Sequence, residues 1–188
     1  NNPCVIMWSL GNESGGYRCQ DYCYTNLKSL DTVTPVHYEG VCHTRRWCYD
    51  VVSLMYPSTE NCEKYAEGKM PAHQRLQAHL ALRKMPAKYY RAPFFLCEYA
   101  HAMGVGAGSL DKYVELFDSF DGFLGGCIWE FADHAAKDAS GNYMYGGDNG
   151  EAVHDGNFCV DGLFYPDRTP HTGALSMRAA YRPVRASY

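Results

Sequence analysis

The sequence has little charge, no basic run and no long apolar run. Only 20% of its 188 residues are charged, with 17 Lys and Arg against 21 Asp and Glu, giving a net charge of −4. Neutralising phosphates needs clustered Lys and Arg, so no nucleic-acid partner is expected. Apolar runs such as Phe94 to Cys97 fall far short of the ~20 residues of a helical membrane span, so no membrane partner is expected either. A positively charged, apolar N-terminal leader is lacking, and the nine cysteines are odd in number and scattered. Together these features predict reduced thiols in a cytoplasm, not a disulfide framework. A repeated metal-binding spacing is lacking too. Cys19 and Cys23 lie one helical turn apart and Cys42 precedes His43, but no matching second pair follows, which favours small buried thiols over a zinc site.

What is present is a series of short apolar runs. Cys4 to Leu10, Pro35 to Glu39, Val51 to Tyr56, Pro93 to Glu98 and Gly126 to Glu130 read as strands buried on both faces, the habit of a parallel sheet covered by helices. Between them Tyr17 to Leu30, Ala72 to Leu82 and Ser109 to Phe120 have helical character. In the last, Leu110, Tyr113, Val114 and Phe117 recur at 3.6-residue spacing, and Asp111 sits where the helix dipole favours negative charge. The alternation predicts an α/β fold. Ala135 to Arg168, rich in Gly, Asp, Asn and Tyr, reads as a long loop over a site, and Leu175 to Tyr181 as a final short helix. The Gly146 to Gly150 run joins no strand to a helix and is not a phosphate loop.

Chemistry collects at the strand ends. The runs close on Glu13, Glu39, Tyr56, Glu98 and Trp129 or Glu130, and in a (β/α) barrel the loops after the strands build the active site. Glu13 and Glu98 would share one rim. A pair of rim carboxylates is the machinery of glycoside hydrolysis, one acting as acid and base and the other as nucleophile. Trp47, Trp129 and 16 tyrosines offer flat faces for pyranose rings, whereas Trp8, in mid-strand, reads as core. Glu39 and Glu130 read as structural or supporting groups, and His37, His73, His79, His134 and His154 as surface or internally satisfied histidines.

The residues carry a resemblance. Val5 to Gly15, reading VIMWSLGNESG, resembles the acid/base signature of glycoside hydrolase family 2. Leu96 to Gly104, LCEYAHAMG, is similar to the nucleophile signature of its large, LacZ-type β-galactosidases. Gly125 to Asp133, Phe158 to Leu163 and Asp167 to His171 resemble the next blocks of those enzymes in the same order. The Tyr-Ala-His-Ala-Met continuation after Glu98 favours galactosidases over the related β-glucuronidases.

The resemblance implies a retaining β-galactosidase that hydrolyses terminal β-galactosides such as lactose through a covalent galactosyl-enzyme. Glu13 would be the acid/base and would also approach a magnesium ion. Asn12 would contact the sugar 2-hydroxyl, Glu98 would be the nucleophile, and Tyr56 its hydrogen-bonding neighbour. His101 would contact the galactose, and Trp129 would form the floor of its pocket. Phe158, through its carbonyl, and Asp161, through its side chain, match positions that hold a sodium ion. Two departures stand out: Asp161 replaces the usual Asn, adding negative charge beside the sodium, and Val105 replaces an Asn in the nucleophile loop.

Residues 1–188 are thus expected to form the C-terminal part of a catalytic TIM barrel, an incomplete (β/α)8 barrel holding about five of its eight strands, from the fourth to the eighth. The partners implied are the β-galactoside, the rest of the barrel, preceding β-sandwich domains and further copies of the chain in a homo-oligomer. The alternative is a non-catalytic half-barrel that needs the missing strands for activity.

Overall fold

The computed structural model describes residues 2–42, 44, 46–67 and 92–184. The expected helix Ala72 to Leu82, with His73 and His79, and the neighbour of Cys42, His43, lie outside the described residues. The chain falls into two compact units, residues 1–97 with 116–126 and residues 98–115 with 127–188.

In the first unit β1 (Trp8–Ser9) pairs in parallel with β2 (Val36–His37), Trp8 opposite Val36. Both are two residues long, so most of the first apolar run lies outside the strand. Between them α1 (Arg18–Leu30) begins where the Gln20 side chain accepts the Tyr17 N–H at 2.8 Å, satisfying a donor that a helix start leaves orphaned. A parallel bridge from His37 to Val51 continues the series. A three-stranded sheet follows, in the order β3 (Val52–Met55), β4 (Phe94–Tyr99) and β5 (Phe123–Ile128). Val52 N–H donates to Pro93 O, and Phe94 N–H to Gly122 O. The core of this unit gathers Tyr38, Val41, Cys48 and Tyr49, with Leu10, Trp47 and Val52 against it.

Two short helices here correct the sequence reading. The segment expected to end a strand at Glu39 turns at that residue into α2 (Glu39–Cys42). After Tyr56, α3 (Thr59–Ala66) starts behind Ser58, whose hydroxyl accepts the Asn61 N–H at 3.3 Å.

α4 (Leu110–Ser119) buries the expected stripe at Leu110, Tyr113 and Val114. In the second unit Tyr113 meets Tyr99 edge-on at 4.9 Å, and the Tyr99 and Tyr181 hydroxyls are hydrogen-bonded to each other. The expected long loop holds an antiparallel hairpin, β6 (Ala136–Lys137) with β7 (Tyr143–Met144). Asp138 Oδ1 closes its turn by accepting the N–H of Ser140 and of Asn142, each at 2.8 Å. The last helix, α5 (Thr172–Ala180), starts three residues earlier than Leu175 and buries Gly173, Ala174 and Ala180. None of the nine cysteines forms a disulfide. Among the described residues no helix is long and apolar enough to cross a membrane.

Candidate active site

In the second unit β4 delivers Glu98 at its C-terminal end, where the residue is 8% exposed. The backbone then turns sharply, with Ala100 at φ 48°, a left-handed value that L residues adopt only where the surroundings enforce it. Trp129 follows β5, and its N–H donates to Tyr99 O at 3.1 Å while Ala102 N–H donates to Trp129 O at 2.7 Å. These two backbone bonds fix the Trp129 segment against the loop that carries His101.

Asp161 ties the group together. It is 2% exposed, and its Oδ2 accepts the Trp129 indole Nε1–H at 3.2 Å and lies 3.9 Å from His101 Nε2. The His101 ring also lies against Phe158, with centroids 5.7 Å apart. His101, Trp129, Phe158 and Asp161, all singled out in the sequence, are therefore brought together. Glu130 belongs to the same cluster. Its N–H donates to Asp161 O and its carbonyl accepts the Leu163 N–H, while its carboxyl pairs with His134 at 3.0 Å. Burial first, then the Asp161 carboxylate, raise the Glu130 pKa, against the pull of His134.

Asn12, Glu13 and Tyr56 belong to the first unit. Asn12 and Glu13 are exposed. Glu13 and Tyr56 share the left-handed backbone of Ala100, at φ 46° and 49°. Such conformations persist only where the surrounding structure over-determines them, and Ser109 and Arg168 adopt them too.

Glu39, read from the sequence as a structural or supporting group, has a specific partner, whereas Asp133 and His171 escaped the sequence reading as partners. Glu39 Oε1 accepts the Glu13 N–H at 2.7 Å. In the second unit Asp133 accepts from Gly162 N–H at 2.8 Å through Oδ1 and from His171 Nε2–H at 2.7 Å through Oδ2. Nothing in the sequence pairs Asp133 with His171, 38 positions away.

The residues fit the two implied cations unequally. Sodium is a hard ion that takes oxygen ligands, as calcium and magnesium do. The buried Asp161 Oδ1 has no hydrogen-bond partner among the described residues, and an anionic oxygen orphaned in this way suits a cation. For magnesium the chain offers Glu13, and among the described residues no three His, Cys, Asp or Glu converge on one metal position.

The profile described as "Glycosyl hydrolases family 2, TIM barrel domain" matches residues 1–186. A β-galactosidase of Staphylococcus xylosus is 39% identical over 194 aligned positions, covering 98% of this chain and 18% of that protein. One of Priestia megaterium is 38% identical and is covered to 16% of its length. The chain thus spans less than a fifth of these curated relatives. Among solved structures, a GH2 β-galacturonidase from Eisenbergiella tayi bound to glycerol superposes with a TM-score of 0.61 at 17% identity, over 100% of this chain and 35% of that one. A β-D-glucuronidase of Dictyoglomus thermophilum gives 0.54 at 19% identity, over 98% of this chain and 33% of that one, and both likenesses speak to the fold. With the barrel profile matched along almost all of its length, the chain belongs to the TIM barrel domain of glycosyl hydrolases family 2.

Proposed function

We propose that the chain supplies both catalytic carboxylates of a retaining β-galactosidase acting on lactose and other terminal β-galactosides. Glu98 attacks the anomeric carbon as the glycosidic C–O bond breaks, and Glu13 gives its proton to the departing oxygen. Glu13 then takes a proton from water, whose oxygen displaces Glu98 and releases galactose with its configuration retained. Asn12 and His101 contact the sugar hydroxyls, Tyr56 steadies Glu98, and Trp129 underlies the ring. The observation that carries the reading is the cluster on the segments after Glu98, with Trp129 and His101 assembled around the buried Asp161 carboxylate. The β-galactosidase names of the relatives support the substrate class.

Asp161 and the carbonyl of Phe158 would hold sodium, and Glu13 would be one ligand of magnesium. Bound there, the cations would supply fixed positive charge beside the sugar and the acid/base group. Asp161 orients the Trp129 ring by accepting its indole N–H. The remaining barrel strands, β-sandwich domains and further copies of the chain complete the active protein. The odd number and scatter of the nine cysteines support a reducing, cytoplasmic setting.

A 2-deoxy-2-fluoro-galactosyl donor with a good leaving group tests the assignment in the full-length protein. It slows both steps by destabilising the positively charged transition state but keeps the first step the faster, so the intermediate accumulates. Mass spectrometry should find the label on the peptide spanning Leu96 to Met103, and none after Glu98→Ala. Label on Glu39 or Glu130 instead would overturn the assignment.

A further inference from the structure

Glu39 has no place in the chemistry above, yet it is buried, with 7% of its surface exposed. Its Oε1 accepts the Glu13 N–H at 2.7 Å, while its Oε2 has no hydrogen-bond partner among the described residues. Taking a carboxylate out of water is costly, and one charge-assisted bond to a backbone amide is small compensation. That bond falls on the residue whose backbone is strained, since Glu13 sits at φ 46°. Such a conformation persists only where neighbours over-determine it.

The next residues of the turn are held from the same place. The Tyr38 hydroxyl accepts the Ser14 N–H and donates to Gly15 O, both at 2.8 Å. The approach is close, because a Cβ on Gly40 would lie 2.8 Å from the Tyr38 hydroxyl oxygen and 3.1 Å from Gly15 O. Two consecutive side chains, Tyr38 and Glu39, thus grip three consecutive residues of the turn.

We propose that Glu39 is a positioning residue whose buried carboxylate, through the Glu13 amide, fixes where the Glu13 carboxyl stands as general acid. The proposal rests on the reading of Glu13 as the acid. A Glu39 that merely knits the turn would behave differently, since its loss would depress turnover of every galactoside in the same proportion. A displaced acid harms only the substrates that need a proton.

The test compares kcat/KM in the full-length protein for aryl galactosides, from 2,4-dinitrophenyl, which departs without protonation, to phenyl, which does not. Glu39→Ala should lower kcat/KM for the phenyl galactoside by up to ~100-fold, the scale of a ~1 Å misplacement. It should leave the dinitrophenyl substrate nearly untouched. Glu39→Gln, which keeps an acceptor oxygen, should recover much of the loss. Glu39→Asp, which keeps the charge but withdraws it by one methylene, should resemble the alanine variant and serves if that variant does not fold. Glu13→Gln run in parallel must show the same leaving-group selectivity. If it does and the Glu39 variants lose all substrates alike, or none, the positioning role is overturned. If Glu13→Gln itself shows no selectivity, the reading of Glu13 as acid fails and takes this proposal with it.

Discussion

Trp129 donates its indole Nε1–H to Oδ2 of Asp161 across 3.2 Å, and the other oxygen of that carboxylate is buried without a hydrogen-bond partner among the described residues. One oxygen thus orients an aromatic ring, and the second is the one the proposed sodium would use.

Exchanging the carboxylate separates these two tasks. Asp161→Asn retains an acceptor for Trp129 but removes the charge, so stability should change little. The sodium concentration for half-maximal activity should rise roughly tenfold, the equivalent of ~1.4 kcal/mol. Asp161→Ala also strands the indole N–H and should cost about 1–3 kcal/mol in urea denaturation. Sodium titrations at constant ionic strength check the first effect, and an unchanged dependence in Asp161→Ala would remove Asp161 from the proposed cation site.

Asp133 holds Gly162 and His171 from a buried position, so Asp133→Ala leaves the Gly162 amide without its acceptor. The expected loss is about 1–3 kcal/mol, read from the denaturation midpoint. Gly162→Ala attacks the same packing from the other side, because its Cβ would stand 2.2 Å from Asp133 N. Wild-type stability in both variants would show that this network does not hold the Asp161 segment.

His37 predicts a pH dependence. Burial lowers its pKa from the ordinary 6.5, with Ser53 Oγ 2.9 Å from Nδ1 and the Phe95 ring edge-on at 5.4 Å. The unfolded chain therefore binds this proton at a higher pH than the native state. Its contribution is fully present above about pH 6.5 and is lost as pH falls toward the depressed native value. Thermal midpoints of wild type and His37→Phe at about pH 7.5 and about pH 5.5 should differ in slope, with the variant less acid-sensitive. Equal slopes would refute the assignment.

Stereochemistry tests the two carboxylates together. Proton NMR of the first turnovers should show β-galactose before mutarotation, because double displacement retains configuration. Release of the α-anomer first would contradict a nucleophilic Glu98.

Periodicity and strand-end chemistry were legible where a segment's own neighbours decide its structure. The stripe of α4 and the apolar run of β4 ending at Glu98 both appear in the fold. Helix α3 was missed although Ser58 is a good N-cap residue, because a helix of 8 residues offers too little periodicity to stand out. The hairpin in the expected loop was missed for the same reason, its strands being two residues each. At Glu39 a reading of strand gave way to a helical turn, which places its carboxylate under Glu13.

By itself the sequence determined which chemical groups the chain carries and where strands hand them over: Glu13, Tyr56, Glu98, His101 and Trp129 are properties of composition and order. Only the tertiary structure decided which groups face one another. Glu39 with Glu13, Trp129 with Asp161 and Asp133 with His171 are separated by 26, 32 and 38 positions. Such pairings arise because burying a charge in a closed core forces it to find whatever donor the fold brings near, and no local pattern along the chain records that choice.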